Sequence, residues 1–342
     1  EFKKGNFTWK PRLYWRRNQD EYVYIRSNPA AYRNLHITNK IAAELNGAYK
    51  SKLGTTGFGT EFSKYYINSN NLGENQREIA SMFLEHRFEF FNAILDITPG
   101  ISTSYFSDFD NQVFPGLDVG FKISDDIRAY ANTGYTYRVP TYTDLYYIGP
   151  QAIGNANLQP EKAISYELGM KVQKQAVNFS AAGFYRNALQ FIDYVRLTDI
   201  DPWRPEILDD VITKGFETQF TYQFTFLNQL QKLQLGYSYI DNKIKNDDVQ
   251  FSQYGLNALK HQVTSSVQLQ FLSNFSTTFS YRYAERTEGT SFNVYNANLN
   301  YTIKNVTLSL YANNIFNTEY TESGLLPMPK GNILFGLHYN FR

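Results

Sequence analysis

The sequence predicts an all-β protein, an antiparallel up-and-down β-barrel that spans a membrane, with about 16 strands present. Three observations predict it. Apolar and polar residues alternate with period two from one end of the chain to the other. The connections between these runs are short and long by turns. Finally, 17% of residues are aromatic, almost all of them Tyr (28) and Phe (27), yet the mean hydropathy is a polar −0.46.

The alternation is plainest in four stretches. Phe216, Thr218, Phe220, Tyr222, Phe224 and Phe226 interleave with Glu217, Gln219, Thr221, Gln223 and Thr225. Val263, Val267, Leu269 and Phe271 interleave with Thr264, Ser266, Gln268 and Gln270. Tyr295, Ala297, Leu299, Tyr301 and Ile303 interleave with Asn296, Asn298, Asn300 and Thr302, and Ile333, Phe335, Leu337, Tyr339 and Phe341 close the chain. On a helix this pattern would scatter the apolar residues around the whole cylinder; on a strand it gathers them on one face. In chain order the expected strands are 5–16, 35–50, 54–66, 78–91, 93–106, 113–122, 126–139, 161–173, 176–192, 208–226, 230–246, 258–271, 274–287, 293–303, 305–314 and 331–342. Most reach the roughly 9–11 residues that a tilted strand needs to cross a bilayer.

Short connections are expected near Leu53, Phe91, Ser124, Lys174, Asn228, Ser273 and Lys304. Long ones are expected over 17–34, 67–77, 107–112, 140–160, 193–207, 247–257, 288–292 and 315–330. Outer-membrane barrels sort their turns this way, short on the periplasmic rim and long outside. The last strand then runs inward and ends at Phe341-Arg342. The amide and acid clusters Asn68–Asn71 and Asn246-Asp247-Asp248 read as solvated loop tips.

Composition narrows the function classes. A chain of 342 residues holds one large domain or two to three small ones. A net charge of +1 implies no nucleic acid or other polyanion as partner. With no cysteine there is no disulfide framework, thiolate metal site or cysteine nucleophile. No apolar run is long enough for a membrane helix, and the first residues lack the apolar segment of a signal peptide.

Residues Tyr137 to Met170 contain an ordered series: Arg138, Pro140, Thr141, then Asp144-Leu145-Tyr146, then Gly154-Asn155, Asn157-Leu158, Pro160-Glu161, and Tyr166-Glu167-Leu168-Gly169. The series resembles that of the TonB-dependent outer-membrane receptors. Asn313-Asn314-Ile315-Phe316-Asn317 is similar to the turn that precedes their final strand. Residues 140–150 followed by Ile153-Gly154-Asn155 look most like the vitamin B12 (cobalamin) receptors of Bacteroidetes-type bacteria. The resemblance implies active import of a scarce, bulky solute, energised by TonB and the inner-membrane proton gradient, with no enzyme activity. Ferric siderophores are the alternative cargo, and a surface lipoprotein lid, membrane lipid and lipopolysaccharide are implied partners. Receptors of this family have about 22 strands and a plugged lumen. Residues 1–342 are therefore expected to be the C-terminal part of such a barrel, without the plug, the short TonB-binding segment or the first strands. The competing reading is a passive porin complete at 16 strands, which requires its first and last strands to pair and a loop to fold inward.

Candidate ligand contacts are the aromatics in or beside the long loops: Tyr142, Tyr146, Tyr147, Trp203 and Tyr254. Aromatic faces with a few polar groups suit a large, partly apolar solute, though Tyr and Trp also favour the membrane interface. The acid pairs Asp108/Asp110 and Asp199/Asp201 are candidate calcium ligands in outer loops, but lack the glycine turn and distal glutamate of an EF-hand. His36, His86, His261 and His338 are too scattered for a metal-ligand pattern. No Gly-x-Ser-x-Gly turn is present, and Gly54, Gly57 and Gly59 open a strand rather than a helix, so neither a serine nucleophile nor a phosphate loop is indicated. Inward polar residues Arg128, Arg138, Glu167, Lys171 and Glu217 are expected to face the lumen, where a plug would meet them.

Overall fold

The structure, a computed structural model, describes residues 1–208, 210–245, 251–253, 258–322 and 327–341. A 17-stranded antiparallel sheet forms the wall. Its first members are β1 (Phe2–Lys4), β2 (Phe7–Val23), β3 (Arg33–Ser51), β4 (Gly54–Ser69), β5 (Gly73–Phe90), β6 (Leu95–Phe106), β7 (Gln112–Lys122), β8 (Ile127–Arg138) and β9 (Glu161–Lys174). It continues with β10 (Val177–Leu189), β13 (Val211–Phe226), β14 (Gln229–Ile244), β16 (Leu259–Leu272), β17 (Phe275–Arg286), β18 (Ser291–Ile303), β19 (Val306–Asn313) and β20 (Asn332–Tyr339). The long loops add a helix, α1 (Tyr142–Tyr146), and a second sheet of three strands, β11 (Phe191–Arg196), β12 (Arg204–Leu208) and β15 (Phe251–Ser252).

All sixteen expected strands are present, and β1 is an addition to them. Each wall strand pairs with the next one along the chain. Among the described residues no register joins β20 to β1 or β2, so the wall is open at both edges.

Register shows why the sequence alternates. Leu13, Ala43, Phe62, Ala80 and Tyr105 lie side by side across β2 to β6. Further round, Leu168, Gly183, Phe216 and Tyr239 continue the same face. Most of these large apolar residues point outward and are open: Leu13 is 82% exposed and Leu168 68%. A soluble protein would not leave so continuous an apolar face in water; a lipid-facing wall must have one. The other face carries most of the polar side chains, with Arg12, Glu44, Glu61 and Ser81 side by side across β2 to β5.

Turns on one rim are tight. Leu227-Asn228, both at positive φ (53° and 58°), join β13 to β14 as a two-residue hairpin. Gly54 opens β4 at φ +133°, where a Cβ would fall 1.8 Å from the Arg87 carbonyl oxygen. The opposite rim carries the long loops, but two of these are shorter than the sequence indicates. The 17–34 connection shrinks to 24–32, and 67–77 to 70–72, because β2 to β5 continue beyond the apolar band. Outside lipid both faces of a strand are wet, so alternation no longer marks it. The Asn68–Asn71 cluster is correspondingly not an idle tip: Asn70 Oδ1 accepts from the Leu35 amide at 2.8 Å.

Candidate functional site

The site is assembled from the inner wall and the loops that fold over its outer rim. Loop 139–160 is the most tightly built of these. Thr141 caps α1, its hydroxyl accepting from the Asp144 amide at 3.1 Å while Asp144 Oδ2 accepts from the Thr141 amide at 2.9 Å. Asp144 is buried and also accepts from Arg138 (3.3 Å) and from the Tyr194 hydroxyl (3.0 Å). Arg138 donates in turn to buried Glu161 at 2.9 Å. Beside this polar knot Leu145, Leu158 and Ile192 form a small apolar core with Phe109 and Ile207. Gly154 lets the chain cross α1 closely, since a Cβ there would sit 2.8 Å from the backbone of Leu145 and Tyr146. Asn155 ties the loop to β12 through the Pro205 carbonyl at 3.2 Å. The ordered series in residues 138–161 therefore does architectural work, fastening loop 139–160 to the strand ends and to the β11–β12 sheet.

The aromatic candidates fall around this knot in three groups. Tyr142 and Tyr146 stack with centroids 6.4 Å apart, and the Tyr142 ring lies 5.2 Å from the guanidinium of buried Arg77. Burial pushes the Tyr142 phenol up to about 12, against the opposing pull of Arg77, and its hydroxyl is buried without a hydrogen-bond partner. Tyr147 belongs to a second group. Its hydroxyl meets that of Tyr32 at 3.4 Å, while Tyr32 and Asn71 both donate to the Ile148 carbonyl, at 3.1 and 2.5 Å. Burial first, and Tyr32 second, raise Tyr147 to about 12. Trp203 forms the third group, its backbone bridged to Ala152 and its ring 4.5 Å from the Arg196 guanidinium. Tyr254 lies outside the described residues. Loop 139–160 thus touches all three groups.

The carboxylates of Asp108 and Asp201 are engaged within the chain, while Asp110 and Asp199 accept through their backbone carbonyls. Asp108 takes both of its contacts from Arg77 Nε (2.9 and 2.7 Å), and Asp110 accepts through its backbone carbonyl from Gln112 (3.1 Å). Asp201 accepts from the Thr198 amide and hydroxyl at 2.9 and 2.7 Å, and the Asp199 carbonyl accepts from Arg196 at 2.6 Å. Among the described residues no three His, Cys, Asp or Glu side chains gather as a metal site would require.

Below the rim the inner wall divides in two. From β2 to β9 it is charged and internally paired: Arg12 with Glu44 (3.4 Å), Lys40 with Glu61 (2.7 Å), Arg87 with Asp96 (3.5 Å), and Arg128 also with Asp96. Lys171 lies 5.1 Å from the Tyr130 ring. Arg128 and Arg138 thus have partners within this chain. From β14 to β19 the wall carries amides and hydroxyls, with Gln234, Ser266, Ser280 and Asn296 in one registered row. Residues 314–322 and 327–331 lie over it: Tyr320 stacks on Phe292 (4.4 Å) and Glu322 pairs with Arg282. Arg77, Arg282 and Tyr320 carry no signal in the sequence, since their partners lie more than thirty residues away or on other strands.

Comparison with known proteins gives this geometry a family. Residues 2–315 match the family described as TonB dependent receptor-like, beta-barrel. The chain belongs to that family. It is an integral β-barrel of the outer membrane, and its relatives are receptors and transporters rather than enzymes. Over 157 residues it is 27% identical to the vitamin B12 transporter BtuB of Photobacterium profundum, covering 43% of this chain and 24% of that one. Over 108 residues it is 30% identical to BtuB of Vibrio vulnificus, covering 31% and 17%. The fold resembles the siderophore receptor PirA of Pseudomonas aeruginosa (TM-score 0.73, 15% identity, 94% of this chain and 58% of that one). It also resembles the FrpB iron transporter of Neisseria meningitidis (TM-score 0.78, 13% identity, 98% and 62%). The chain thus spans less than two thirds of each of these relatives.

Proposed function

We propose that this barrel is the outer wall of an active importer that takes up cobalamin across the outer membrane. The observation that carries the cargo is the likeness in sequence to two vitamin B12 transporters. The fold relatives, at under 16% identity, support only the barrel. The wall geometry fits an importer better than a passive porin. A porin closes its sheet, whereas here both edges are open among the described residues. Backbone groups at an open edge cannot be left unpaired in lipid, so further strands or another chain must cover them. In the importer reading those are the remaining strands of a larger barrel around a plug, and TonB acts on the plug. The loops described above hold solute over the lumen, and the barrel itself does no covalent chemistry.

The test is titration of the full-length receptor with cyanocobalamin and, separately, with ferric chelates. A Kd on the order of nanomolar for cyanocobalamin, with none measurable for the chelates, is the expected result. Binding of a ferric chelate without cyanocobalamin would replace the cargo with a siderophore and leave the importer reading in place. Steady diffusion of small solutes through the receptor, independent of TonB, would discard the reading.

A further inference from the structure

The uncharged half of the inner wall has a composition and a groove that the import reading alone does not account for. On β14, β16, β17 and β18 Gln234, Ser266, Ser280 and Asn296 form an uncharged inward row, and in the next row Thr264 is paired in register with Arg282. Of the cations on this face, Lys232 lies by the short turns, Arg286 ends β17 by the long loops, and Arg282 lies between them, one row from Ser280. Arg282 is ion-paired with Glu322, and Arg286 donates to the Glu322 carbonyl. Beneath residues 314–322 and 327–331 a groove of about 600 Å³ runs along this wall, with Arg282 in its lining and Tyr320 and Met328 on its loop side.

We propose that solute passes along this uncharged face and that the face selects an uncharged, amide- and hydroxyl-bearing solute against an anionic chelate. The inference rests on the import reading. Asn, Gln, Ser and Thr each both donate and accept, so they can exchange hydrogen bonds with a sliding amide without leaving a buried charge unpaired. Many weak, equivalent contacts let a solute enter and also leave. An anion meets the opposite situation: Arg282, the cation that lines the groove, already has a carboxylate in Glu322. On the β2–β9 half a passing solute of either kind would have to compete with fixed ion pairs such as Lys40–Glu61. The row Gln234, Ser266, Ser280 and Asn296 thus offers polar groups with no charge to displace.

This chain contains no cysteine, so one introduced thiol reports one place. In outer-membrane vesicles carrying the full-length receptor, Ser266→Cys marks the uncharged face. Ser81→Cys, which is paired in register with Glu61, marks the charged one. Gln234→Cys serves if Ser266→Cys fails to fold, judged by heat-modifiable migration. Cyanocobalamin at ten times its Kd should slow methanethiosulfonate labelling at position 266 about tenfold and leave position 81 unchanged. Protection at 81 with none at 266, or protection at neither, overturns the inference while tight binding keeps the import reading. If cyanocobalamin does not bind, the cargo reading fails and reagent charge decides. Cationic and anionic reagents should then label position 266 at rates within about threefold of each other. A preference of about tenfold or more for either sign would overturn the uncharged-path inference by itself.

Discussion

The two halves of the lumen wall are held in different ways. From β2 to β9, inward side chains include ion pairs that tie neighbouring strands, and the loop above them is locked by buried carboxylates around Arg138. From β14 to β19 the wall is amide and hydroxyl, and the loop above it rests on a ring stack and one arginine–glutamate pair. A charge network is rigid because removing any member strands the others. A neutral wall is tolerant because each hydrogen bond contributes little alone. The difference suggests a scaffold half and a contact half.

The sharpest way to break the comparison is at Arg138. Arg138→Ala leaves Asp144 and Glu161 buried without their main cation, since Arg186 reaches Glu161 only at 3.7 Å. The loss expected is roughly 3 kcal/mol in the docking of loop 139–160, read as hydrogen-exchange protection of that loop. Next in size is Gly154→Ala, whose Cβ would meet backbone at 2.8 Å with no flexible side chain to give way. It should cost about 1–3 kcal/mol by the same readout. Asn296→Ala on the other half removes the acceptor of the Asn314 amide (2.9 Å) and a long contact to Ser280 (3.4 Å). Its expected cost is about 1 kcal/mol, seen in loop 314–331. Should Asn296→Ala loosen its loop as much as Arg138→Ala loosens the other, the two halves are not held differently.

Much of this architecture is legible in the residues, for a reason that also explains what is not. Where strands cross lipid, solvent differs on the two faces, and Phe216 to Phe226 or Tyr295 to Ile303 record it as strict alternation. Above the lipid that contrast ends. Asn18 to Glu21 and Asn68 to Ser69 are strand in the structure but polar on both faces, so they read as loop. β11, β12 and β15 are too short to show a period, and they form a sheet from segments up to 59 residues apart, as Asp193 and Ser252 show. At the rim the series from Arg138 to Glu161 stands out in the sequence, but its meaning does not. Tyr142, between Arg138 and Asp144, looks like a ligand contact when taken alone; Arg77, 65 positions earlier, is what its ring faces. Pairings of that kind depend on strand register around the wall, and no local pattern encodes them.

The smallest expected effect is one of pH, and it distinguishes the locked loop from its counterpart. The Tyr142 phenol ordinarily titrates near 10 and is pushed to about 12 when loop 139–160 is docked, by burial. Below pH 10 both the docked and the released loop carry a neutral phenol, so docking keeps its full stability. Between pH 10 and 12 the released loop ionises while the docked one stays protonated, so docking weakens as pH rises through that window. Tyr147, raised in the same direction, adds to the slope. Protease cleavage within 139–160 should therefore climb over this window faster than cleavage within 314–331. Tyr142→Phe keeps the ring against Arg77 and removes a hydroxyl that has no partner, so it should flatten the climb without loosening the loop at neutral pH. If the climb is unchanged in Tyr142→Phe and also in the double variant with Tyr147→Phe, alkaline loosening comes from somewhere other than these two rings, and the rim of the charged half is not distinguished by its buried phenols.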